Sequence, residues 1–173
     1  QHPSILGFYK ENEYELIWLN NNEVSRQRRA ELINSLRTAS FHGLPVKKYR
    51  VKKLLGKLST SNSLFEIGFL EGLLMISFTE YASDMNSGVL VPSEVDSDIV
   101  RKIKLNGPDF YIRGLISRNP YDYFRSLGPQ SSEYGRLLVE KNKLREVAKN
   151  GGWSTLSVDR VLRFGDFGDD VVA

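Results

Sequence analysis

The chain has 173 residues, with 24 Lys plus Arg against 21 Asp plus Glu for a formal charge of +3, and ordinary hydrophobic (40%) and charged (26%) fractions. That length suits one domain with a proper core, or one domain and the start of another, and the composition excludes a disordered chain. The longest apolar region, Leu64 to Phe78, is broken by Glu66 and Glu71, which excludes a membrane span there, and the absence of cysteine excludes disulfides, thiolate metal sites and a cysteine nucleophile.

Residues Phe8 to Leu19 are aromatic-rich and predict a short helix or turn leading into an extended Leu16-Ile17-Trp18-Leu19, broken by Asn20-Asn21-Asn22. A helix follows from about Asn22 to Ser40, with Leu32, Ile33, Leu36 and Ala39 at three- and four-residue spacing and Arg26, Arg28, Arg29 and Arg37 between them. His42-Gly43 ends it, and Pro45 opens a basic helix reaching about Leu58. Ser59 to Ser63 is a loop that ends as an N-cap. The next helix, Leu64 to about Met85, is apolar on almost every side, so other helices must cover most of it. Ser87-Gly88 stops it. Short helices are predicted near Asp96 to Leu105, Asp109 to Ile116, and Asn119-Pro120 to Leu127. A long helix from Ser132 to Lys149 carries Tyr134, Leu137, Leu138, Leu144 and Val147 on one face, and Asn150-Gly151-Gly152 ends it. The fold class is all-α: an irregular multi-helix bundle around a buried central helix, with a short loop-like C-terminal tail.

Little in the chain spells chemistry. Asp166-Phe167-Gly168 matches the metal-binding triplet of protein kinases as a string, yet no glycine-rich loop, strand lysine or catalytic His-Arg-Asp loop precedes it. Gly56-Lys57 fails as a phosphate loop, because Leu58 follows the lysine and Val51 stands where the first glycine belongs. Asp166, Asp169 and Asp170 lack the alternate-position spacing of a calcium loop and read better as a solvated turn. His2 and His42 are the only histidines, and His42 reads as a capping or packing residue in its turn. No serine sits in a nucleophile elbow. The residues thus call for no catalytic group, metal or cofactor.

Six cations and no acid lie between Val46 and Ser59: Lys47, Lys48, Arg50, Lys52, Lys53 and Lys57. They could meet a polyanion, but the small net excess favours a solvated helix face and argues against nucleic acid. Tyr121, Tyr123 and Phe124 could line a sugar-stacking groove, with core packing the stronger reading. The residues retained as candidates for polymer or partner contact are Lys47, Lys48, Lys52, Lys53, Tyr121, Tyr123 and Trp153.

The C-terminal stretch is the most informative. YFRSLGPQSSEYGRLLVEKNKLREVAKNGGW, a short linker and VLRFGDFGDDVVA resemble the join between scaffold and peptidoglycan-binding module in the large multi-domain murein L,D-transpeptidases. Leu127, Pro129, Tyr134, Leu137, Arg145, Gly151, Gly152 and Trp153 carry the resemblance, followed by Leu162, Arg163, Gly165, Asp166 and Val171. Upstream, Tyr9 and Trp18, then His42-Gly43-Leu44 with Tyr49, then Tyr81, Ala82, Asp84, Gly88 and Pro92 resemble earlier scaffold phrases of that family. Val89 and Leu144 depart from it, standing where the family often has arginine and tyrosine.

The resemblance implies a helical scaffold domain over residues 1–153, with 154–173 forming a linker and the truncated start of a peptidoglycan-binding domain. It implies a non-catalytic region of a periplasmic or envelope enzyme, its signal peptide removed ahead of Gln1. Its partners would be peptidoglycan, met through the parent protein, and the parent's own catalytic domain. That family attacks its substrate with a cysteine thiolate beside a histidine, and the chain has no such pair, so activity is expected of the parent alone. Two other readings fit the residues: a stand-alone helical murein-binding or regulatory protein, and a polyanion-binding helical module.

Overall fold

The computed structural model describes residues 3–60, 63–90, 92–98, 105–153 and 164. Among these residues the chain is all-α, with no strand. The helices are α1 (Pro3–Glu11), α2 (Glu23–Thr38), α3 (Val51–Thr60), α4 (Leu64–Ser87), α5 (Pro92–Val95), α6 (Pro108–Ser117), α7 (Pro120–Ser126) and α8 (Ser132–Lys149), with 3-10 turns over Ala39–His42 and Val46–Tyr49. Two compact units divide them, Gln1–Tyr134 and Gly135–Ala173.

Capping chemistry sets many of the helix ends. Asn22 accepts from the Ser25 N–H at the start of α2. Ser63 and Glu66 form a reciprocal capping box on α4, while Gly88 takes φ +82 at its end. Asn119 caps α7, and Pro108 and Pro120 stand at the first position of α6 and α7, where a missing N–H costs nothing.

Within the first unit α4 is the centre. From Leu70 to Met85 it buries Leu70, Leu73, Leu74, Met75, Phe78, Tyr81, Ala82 and Met85, and it packs against α1, α3 and α6, while α2 packs against α7. Phe78 lies at the middle, its ring 5.4 Å from Trp18, 6.3 Å from Tyr123 and 5.7 Å from Phe124. The first turns of α4 differ from the sequence expectation: Leu64 and Phe65 are 88% and 82% exposed, and Phe69 is 45% exposed. The helix is apolar all round, but among the described residues it is covered only over its later two thirds.

Two further expectations change. The basic stretch is not one helix from Pro45 to Leu58; Arg50, with φ +57, turns the chain between the Val46–Tyr49 turn and α3. A side chain in that left-handed conformation carries a local strain of roughly 1 kcal/mol. The segment around Trp18 bends rather than extends. α5 stands four residues ahead of the short helix expected near Asp96 to Leu105; Asp96 to Asp98 form a turn in which the Asp98 N–H donates to Asp96, and residues 99–104, where most of that expected helix falls, lie outside the described residues.

In the second unit α8 ends as expected, with Gly151 at φ +102 and Gly152 at φ +78, the Gly152 N–H donating to the Val147 carbonyl at 3.0 Å. No residue of α8 is buried among the described residues, so its apolar positions Leu137, Leu144 and Val147 stand exposed. The expected tail and peptidoglycan-module start over 154–173 lie, except Phe164, outside the described residues.

Candidate functional site

Two carboxylates that α4 buries organise the first unit. Glu71, 3% exposed, faces the bent segment 15–19, whose backbone N–H groups have no helix or sheet to join. Its Oε1 accepts from the Tyr9 hydroxyl at 2.7 Å and the Ile17 N–H at 2.6 Å; the Trp18 and Leu19 N–H groups reach Oε2 at 3.2 and 2.9 Å. A buried carboxylate is tolerated only when its lone pairs are filled, and here backbone donors fill them. On the other side of this segment Arg28 and Arg29 donate to the carbonyls of Ile17 and Trp18. Burial lowers both guanidinium pKa values, and burial first, then the Glu71 charge, pushes the Tyr9 phenol up.

Asp84, further along α4, receives side chains instead. Lys48 Nζ lies 2.8 and 2.7 Å from its two oxygens, and the Tyr49 hydroxyl donates at 2.7 Å. Burial, then the bond to Asp84, pushes the Tyr49 phenol up. Arg50 pairs with Glu80 at 2.6 Å, and Lys53 lies over the Phe69 ring at 5.4 Å. Three of the six cations of the basic stretch are therefore engaged with α4. Lys47 and Lys52 are exposed.

A third feature joins residues far apart in sequence. His42 Nδ1 lies 2.8 Å from the Tyr134 hydroxyl, and the two rings are parallel within 4°. They border a cleft of about 320 Å³ whose walls include Tyr81, Tyr121, Arg125 and Pro129. Arg125 donates to the Tyr121 hydroxyl at 2.9 Å and lies over its ring, fixing an aromatic face that is 52% exposed. Such a mixture of ring faces and fixed polar atoms can hold a sugar or peptide by stacking and hydrogen bonds.

A family model described as a scaffold domain matches residues 3–140. The chain belongs to this scaffold-domain family. No curated protein and no solved structure matches it.

The scaffold domain distributes the remaining sequence candidates differently. Tyr123 is a core residue, 5% exposed, its hydroxyl donating to the Tyr111 carbonyl at 2.8 Å; burial pushes that phenol up to about 12. Trp153, in the second unit, is 70% exposed. Asp166, Asp169 and Asp170 and the late phrase Leu162 to Val171 lie outside the described residues, and among the described residues no group of three His, Asp or Glu is placed to hold a metal. Sequence reasoning missed Glu71 as a structural centre. Its signal was available: a lone carboxylate inside an apolar helix must find donors.

Proposed function

We propose that this scaffold domain is the non-catalytic frame of an envelope L,D-transpeptidase, the whole enzyme forming meso-diaminopimelate-to-meso-diaminopimelate (3-3) crosslinks in peptidoglycan. The observation that supports this reading is where the residues of the family resemblance fall. Tyr9 and Trp18 meet at Glu71, Tyr49 meets Asp84, and His42 meets Tyr134. The ties at Glu71 and Asp84 hold α1, the bent segment and the basic stretch on α4, and the third joins the Ala39–His42 turn to the start of α8. A rigid frame is what a polymer-acting enzyme needs between a binding module and a catalytic one, since tethering raises effective concentration only when both can engage together. The catalytic cysteine and histidine would belong to another part of the same protein, periplasmic or envelope-bound, and the chain would meet peptidoglycan through that parent.

The test is deletion of residues 3–140 from the gene in the cell that makes the protein, followed by mass spectrometry of digested sacculi. Loss of 3-3 crosslinks is expected, with the rest of the protein still present by immunoblot. An unchanged crosslink profile defeats the proposal, and so does purified chain that by itself joins or trims stem peptides.

A further inference from the structure

A cleft of about 310 Å³ opens where α4, α6 and α7 meet, apart from the features above, and among the described residues its charged lining residues are Arg113 and Arg118. Arg118 follows the last turn of α6, where unsatisfied carbonyls favour a cation, and its guanidinium lies 5.9 Å from the centre of the Tyr123 ring, itself a wall of the cleft. Arg113 also borders a neighbouring depression that holds Glu11 and Asp109, yet among the described residues it forms no ion pair with either. Two exposed guanidiniums thus face one hollow, and among the described residues no carboxylate lines it.

The rest of the lining narrows the ligand. The Ser117 hydroxyl donates to the Arg113 carbonyl and the Ser126 hydroxyl to the Tyr123 carbonyl, each at 2.8 Å. With their protons so directed, both oxygens offer lone pairs, which suit the N–H groups of an amide. Phe110, 57% exposed, and Leu127 supply an apolar wall. Guanidinium forks match the planar carboxylate in two-point hydrogen bonds. An inorganic anion would use the arginines and leave the serines and the apolar wall idle. The volume lies at the lower end for small-ligand sites, enough for a few residues.

We propose that this cleft binds the free carboxylate end of a short peptide, the carboxylate held between Arg113 and Arg118, its amide N–H groups on Ser117 and Ser126, and an apolar side chain against Phe110. The assignment does not depend on the cell-wall reading.

The test is a nitrogen-15 NMR titration of the full chain with N-acetyl-alanyl-alanine, its C-terminal amide and inorganic phosphate in parallel. The acid is expected to shift amides at the end of α6 and in α7 saturably, and the terminal amide to bind at least roughly tenfold more weakly, the worth of one charge-assisted contact. R113Q combined with R118Q, two exposed sites, should weaken the acid by a similar factor at unchanged helical circular dichroism. Should that pair disturb folding, R113K and R118K keep the charge, lose the fork and should each bind several-fold more weakly. Absence of saturable shifts, equal binding of acid and amide, phosphate shifting the same amides as strongly, or variants that bind like the parent would each overturn the assignment.

Discussion

Glu71 and Asp84 sit on the same helix, both buried, and they solve the same problem with opposite materials. Glu71 is solvated by hydrogen-bond donors of the main chain and one phenol; Asp84 is met by an ammonium and a phenol from side chains. The first arrangement orders a segment with no secondary structure of its own, and its donors are left without partners if the carboxylate goes. The second clamps a 3-10 turn whose backbone is already hydrogen-bonded within itself, and its Lys48 partner is 41% exposed and can turn to water. Leaving buried backbone donors unmet is the costlier failure.

That contrast can be broken by experiment. Glu71→Ala is expected to destabilise by about 4 kcal/mol, as removal of one member of a buried charged network does, measured by urea denaturation; Glu71→Gln should cost about half, keeping one acceptor. Asp84→Ala should cost about 2 kcal/mol, because Lys48 can be rehydrated. An equal loss at both positions would erase the distinction. Alkali sharpens it further. The Tyr9 and Tyr49 phenols are raised in the folded chain, so the unfolded chain loses these protons first, near pH ~10. Stability should be full below that pH and fall above it, by at most about 1.4 kcal/mol per pH unit for each phenol. Tyr9→Phe and Tyr49→Phe should each flatten the fall in the urea midpoint, and a slope unchanged in both variants would contradict this. The smallest effect belongs to the exposed pair: Arg50→Ala should change stability by no more than about 0.5 kcal/mol, since the lost ion pair with Glu80 is screened and the local backbone strain is not relieved.

Legibility in the sequence followed the kind of atom involved. The bounds of α8, the Ser63 cap of α4 and its Gly88 stop were readable because capping residues and apolar periodicity are side-chain signals. The Arg50 elbow was not, since no glycine or proline marks it and the strain is local. The role of Glu71 stayed hidden because three of its donors are backbone N–H groups, which every residue but proline carries alike. Leu64 and Phe65 were misplaced because periodicity describes a helix without saying how far its neighbours extend. Of the tyrosines proposed for contact, Tyr121 is half exposed beside the His42 cleft, while Tyr123 is buried against Phe78 and shows only one side of its ring to the Arg118 cleft; two residues apart on one helix, they face different ways.

The bonds at Glu71 have a kinetic meaning as well. They join residues 52 to 62 positions apart, whereas the Tyr123-to-Tyr111 bond between α6 and α7 spans 12. Closing the longer loops costs more chain entropy before any contact repays it, so the short α6–α7 pairing can form early and the Glu71 contacts late. Weakening a contact made after the transition state leaves the folding rate almost untouched and speeds the reverse reaction. Glu71→Ala is therefore expected to shorten the lifetime of the folded molecule more than it slows folding, which unfolding and refolding rates in urea would check.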